Sequence, residues 1–181
     1  MKKTNTLMLL ALTTLGLAFL NGCSKSDDSP TEGTSTSSTL PETLFLAQAP
    51  TGIQSISQLK EDVKAGDEVV VKAVIGGRKN AFVANRAVMT VVDATLGNLC
   101  VAEDDHCKTP WDYCCASPEE LFPEMATVQI NGADTTPLKV DLSSIPQLAP
   151  LNTLVIKGTV GPRPDKSTLV INATGIFVKQ P

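Results

Sequence analysis

Aromatic residues supply only 4% of the 181-residue chain, with one Trp, one Tyr and five Phe. A platform that stacks nucleic-acid bases on rings has little to draw on. Basic residues are also in deficit, 15 Lys+Arg against 19 Asp+Glu for a net charge of −4, where a dedicated nucleic-acid binder is usually basic. The chain has one His, so a nucleophile paired with an imidazole has a single candidate base, His106. No C-x-x-C is present, which removes the thiol-exchange motif and the short knuckle of structural zinc sites. The longest apolar run is 14 residues, short of the roughly 20 that span a bilayer. What remains is 42% hydrophobic and 19% charged. That mixture can bury a core and excludes a wholly disordered or collagen-like chain. The length fits one ordinary domain with appendages.

The N-terminus carries an address. Lys2 and Lys3 precede the apolar run Leu7–Leu20, which reads as the hydrophobic region of a signal peptide, residues 1–22. It ends in Leu20-Asn21-Gly22-Cys23, which resembles the bacterial lipobox, with Asn21 where a small or hydroxyl residue is usual. The resemblance implies a mature chain that starts at Cys23 and carries palmitate or similar acyl chains there. Such chains would hold it to a membrane without a spanning helix. Ser24 follows instead of Asp, which by the same resemblance favours the outer over the inner membrane and places the protein in the periplasm. Loss of residues 1–22 removes two lysines and no acid, so the net charge goes from −4 to −6.

Residues 23–50 form a tether, with Thr31-Glu-Gly-Thr-Ser-Thr-Ser-Ser-Thr39 too polar to offset its ordering entropy. Leu44-Phe45-Leu46 is apolar enough to dock back on the domain, which is expected over 51–181.

There the pattern is that of strands. Ser55-Ile-Ser-Gln58 resembles a capping box, followed by Ile56, Leu59 and Val63 at helical spacing. Glu68–Ile75 alternates, and Gly76-Gly77-Arg78-Lys79-Asn80 breaks it. Ala87–Val92, Thr127–Ile130, Leu154–Val160 and Leu169–Val178 read as further strands, with a turn at Asn131-Gly132. Ser117-Pro118-Glu119-Glu120 has the chemistry of a helix start. Asp141–Pro150 is too broken by Pro for the helix that usually joins the third and fourth strands of such a fold. These phrases resemble an OB-fold of the tRNA/helicase type or of the small periplasmic bacterial type. The resemblance implies an all-β, five-stranded Greek-key barrel over about 66–178.

The departure is an insertion at residues 96–125. It holds every Cys after Cys23 (Cys100, Cys107, Cys114 and Cys115), together with His106, Trp111 and Tyr113. Thr109-Pro-Trp-Asp-Tyr-Cys-Cys115 resembles a phrase of uncharacterised bacterial lipoproteins. In an oxidising compartment four Cys predict two disulfides, with three connectivities open and the strained vicinal pair disfavoured. Each would close a loop of about 8 to 16 residues and contribute on the order of 3 kcal/mol. The alternative is a Zn or Cu site formed by Cys100, His106, Cys107 and Cys114 or Cys115, which has the ligand types without the usual spacing.

The expected function is a non-enzymatic binding or interaction module, without cofactor, whose partner is a protein or small ligand. The loops that flank an OB ligand face carry Arg78 and Lys79, then Arg163 and Lys166, against the bland reading that these are ordinary turn charges. Trp111 and Tyr113 are further candidates for that face, or a cover for the barrel mouth or the cysteines. Metal binding through the insertion is the second function class, and OB-type nucleic-acid or oligosaccharide binding the third. Catalysis finds only His106 beside Cys107, poorly placed for a dyad.

Overall fold

In the computed structural model, residues 39–102 and 107–179 are described. The signal segment, Cys23 and most of the tether lie outside them, as do Glu103, Asp104, Asp105 and His106. Five strands form the body: β1 (Glu68–Ile75), β2 (Val88–Asp93), β3 (Met125–Gln129), β4 (Thr153–Val160) and β5 (Val170–Val178). They close a barrel in the order β1-β2-β3-β5-β4, with β4 returning to β1. All pairings are antiparallel except β3 with β5. The expected OB-like all-β fold is therefore present, and each strand lies within two residues of its sequence-based range.

Alternation explains why these segments are strands and which way they face. Along β1, Val69, Val71, Ala73 and Ile75 point inward and are buried, while Val70, Lys72 and Val74 are half-exposed on the outside. Met89 and Val91 of β2, Val128 of β3, Ile156 of β4, and Ile171 and Ile176 of β5 complete one apolar core. Burying such side chains contributes roughly 1.5–3 kcal/mol each. Gly158 sits at a register shift between β4 and β5, where a Cβ would collide with the Asn172 carbonyl.

Three short helices accompany the barrel: α1 (Ile56–Asp62), α2 (Leu99–Ala102) and α3 (Pro118–Leu121). Among the described residues no helix is long and apolar enough to cross a membrane. The box expected at Ser55 does not form, because its hydroxyl meets Ser57 instead of a backbone amide. The Asp93 carboxylate at the end of β2 accepts the Ile56 N–H at 2.8 Å, so the cap comes from a strand 37 residues away. The box at Ser117 does form, with Glu120 as its partner. The Pro-broken stretch after β3 yields only a single 3-10 turn, Leu142–Ser144.

Packing begins before residue 51. Leu44 is 2% exposed within the core, and the Leu46 N–H donates to the Ile176 carbonyl of β5 at 2.9 Å. Gly175 leaves the space that the Leu46 side chain fills.

Candidate functional site

The insertion is a cap with a small core of its own on the outer face of the barrel. Val92 points out of β2 there and packs with Tyr113, Leu121 and Met125, with Leu96 and Ala116 at the margin. A 3-10 turn at Pro110–Asp112 ends in Tyr113, which takes the left-handed conformation (φ 59°) and is 3% exposed. Burial pushes the Tyr113 phenol up to about 12, with the Cys100 thiolate adding to the effect. Trp111 ties the cap to the loop after β1 in both directions. Its indole N–H donates to the Lys79 carbonyl at 3.0 Å, and its own carbonyl accepts the Gly77 N–H at 2.8 Å. A Cβ on Gly76 would collide with that carbonyl, and Gly77 adopts φ 84°. The Gly76-Gly77 pair thus ends β1 and also makes room for the cap.

The four cysteines meet at the outer end of this cap. Cys100, buried on α2, lies 2.7 Å from the Cys115 sulfur and 3.5 Å from that of Cys114. Cys107 lies 3.3 Å from Cys114, and the vicinal pair Cys114–Cys115 is 4.0 Å apart. No pair is at bonding distance. The Cys115 N–H donates to the Cys100 sulfur at 3.3 Å. Asp112 braces the loop: one carboxylate oxygen accepts the Cys114 N–H and the other the Thr109 hydroxyl. Burial pushes the Cys100 thiol up, but bonds from the Cys115 side chain and amide, then from Cys114 and Cys107, bring it below the ordinary value. The Cys107 and Cys100 sulfurs push Cys114 the other way.

A groove of about 320 Å³ opens beside the cap, on the face made by β2 and β3 and between the loops after β1 and after β4. Thr90 and Thr127 lie directly opposite each other on the paired strands and form part of its lining. Arg78 stands at one side, Ser167 and Thr168 at another, and Phe122 and Met125 supply an apolar wall. Phe122 is 60% exposed.

Of the six ligand-face candidates, Arg78 alone lines this groove. Lys79 offers the carbonyl that holds Trp111. Arg163 is a clasp. Its guanidinium donates to the carbonyls of Leu59, Lys60 and Val63 at the end of α1, and to those of Lys166 and Thr168 in its own loop. Lys166 pairs with Glu61 of α1 at 2.9 Å. Trp111 fastens the cap to the loop after β1 and Tyr113 fills the cap's core. The sequence reading missed Phe122, Thr90 and Thr127. Thr90 and Thr127 sit at outward positions of strands otherwise β-branched and apolar, so the alternation that located the core also carried a signal for them.

Compared with known proteins, the chain matches no family model, no curated protein and no solved structure. Its class rests on the fold and the site: an OB-like barrel with a cysteine-bearing cap beside an open groove.

Proposed function

We propose that the protein is a non-enzymatic binding module, anchored through acyl chains on Cys23 at the periplasmic face of a bacterial membrane, and that the β2–β3 groove takes its ligand. The observation that carries this reading is the groove's position and lining. It lies where OB barrels place ligands, between the first and last inter-strand loops. It also joins a cation, Arg78, to an exposed ring, Phe122, across a pair of threonines. Those groups suit a ligand with an anionic head on an apolar body.

N-acetylphenylalaninate is a suitable probe, titrated at low salt and followed by backbone chemical shifts. Shifts at the amides of Arg78, Thr90, Thr127 and Thr168, weakened in Phe122→Ala and absent with the neutral amide analogue, support the reading. Shifts confined to other faces, or none at millimolar probe, defeat it. An oligothymidine at low salt is expected to stay unbound by a mature chain of net charge −6. Anchoring is tested separately by acyl labelling, which Cys23→Ala abolishes if the lipobox reading holds.

For the oxidised chain, the sulfur separations favour a nested pairing, Cys100 with Cys115 and Cys107 with Cys114, the shortest separations for each pair of partners. Two such bridges predict a mass gain of about 4 Da on reduction, two hydrogens per bridge.

A further inference from the structure

We propose that the reduced cap is a four-thiolate site for a divalent d10 ion of the Zn(II) class, formed by Cys100, Cys107, Cys114 and Cys115. The inference stands on residues separate from the groove and does not depend on it.

Convergence is the first argument. Two independent bridges need only two pairs of neighbouring sulfurs. Here the Cys114 sulfur neighbours all three others, at 3.3, 3.5 and 4.0 Å. Sulfurs about 2.3 Å from a tetrahedral zinc lie about 3.8 Å from one another, since a tetrahedron's edge is about 1.63 times its centre-to-corner distance. Three separations already fall within about half an ångström of that edge. Of the remaining three edges, Cys100 to Cys115 at 2.7 Å has to open by about 1 Å. Cys107, whose sulfur clusters with Cys114 but not with Cys100 and Cys115 together, has to swing inward by at least about 1 Å. Both are movements within reach of side-chain rotation at Cys107 and the exposed Cys115.

Scaffolding is the second argument. The ligands arrive from three pieces of the cap, and two of these pieces are separately fixed. Cys100 sits on α2, and Asn98 just before it donates to the Pro110 carbonyl at 2.7 Å. Cys114 and Cys115 follow the left-handed Tyr113, whose ring is locked in the cap's own core. Asp112 fixes the Cys114 amide. The Cys115 N–H already points at the Cys100 sulfur, the kind of outer contact that steadies a metal-bound thiolate. Sequence spacing gives no short knuckle, and the fold performs the gathering instead. Binding converts four thiols to thiolates, releases four protons and leaves a site of net charge −2. All-sulfur coordination selects a soft or borderline ion over Mg(II) or Ca(II).

The full chain, reduced with a phosphine under argon, is titrated with Co(II) and then Zn(II). The expected result is one Co(II) per chain with the intense d–d bands of a tetrahedral thiolate site, displaced by one Zn(II), with the four cap thiols then unreactive. Cys107→Ser and Cys114→Ser should each weaken Zn(II) binding at least 100-fold, while an unchanged far-UV spectrum shows the barrel still folded. His106→Ala should leave the Co(II) bands unmoved. Four reactive thiols that take up neither ion overturn the proposal. So does a Co(II) spectrum of fewer than four sulfurs that His106→Ala abolishes.

Discussion

The barrel and its cap are stabilised by different means. The barrel buries continuous apolar faces contributed by all five strands, so every strand reports on the same core. The cap's apolar cluster has only four buried side chains, two of them, Val92 and Met125, borrowed from barrel strands. The rest of its order comes from single polar contacts: Trp111 to Lys79, Asn98 to Pro110, Asp112 to Cys114. A distributed core tolerates the loss of any one hydrogen bond. A structure pinned at points does not, and that leaves the cap free to hold reactive groups that the barrel excludes.

The largest expected effect lies in the barrel. Ile156→Ala removes a fully buried side chain of β4 and should cost about 3–4 kcal/mol in denaturant unfolding, with barrel and cap lost together. Loss of the cap alone would show that the two are separate folding units.

Arg163→Ala comes next. Three carbonyls at the end of α1 lose their donor, and about 2 kcal/mol should be lost. Arg163→Lys should recover less than half, because one ammonium cannot reproduce the fork of a guanidinium. A null effect would return Arg163 to the ligand face.

Ionisation of the single tyrosine separates the cap by pH. Its folded pKa is raised to about 12 from 10, chiefly by burial. The neutral phenol therefore favours the folded cap fully below pH 10, and this contribution, about 2 kcal/mol, is lost between pH 10 and 12. Ultraviolet titration should find tyrosinate forming near pH 12 in the native chain and near 10 in denaturant. A native midpoint at 10 would mean that the cap is open.

The smallest effect expected on the barrel, measured against the reduced, metal-free chain, is that of replacing all four cap cysteines by Ser. Its unfolding free energy should move by less than about 1 kcal/mol, since no strand contains Cys. Trypsin cleavage after Lys108 should nonetheless accelerate as the closure is lost. A collapse of the barrel would break the contrast outright.

Legibility followed the same division. Strand positions were readable because burial repeats every two residues and needs no knowledge of partners. The cysteine-rich cap was visible as a concentration of rare residues. Its attachment was not, because the carbonyls that hold Trp111 and surround Arg163 belong to backbones of any sequence and leave no trace in side-chain chemistry. Arg163 looked like a turn charge, and its α1 partners lie about 100 residues away. Asp93 looked like the end of a strand and is the cap of a helix that precedes β1. The parallel closure of β3 on β5 was not legible, since alternation is blind to strand direction.

The docking of Leu44–Leu46 on β5 has a mechanical consequence. With the chain anchored at Cys23 as proposed, a pull on its domain would not load β1 first. Tension entering from the N-terminal side meets the parallel bridge between Phe45 and Ile176 and the buried Leu44 plug. Side chains packed abreast then resist by sliding as a set, where an end-on pull would open one contact after another. Under that proposal the short apolar phrase would act as a strain relief, taking up tension at β5 before it reaches the β2–β3 face of the groove.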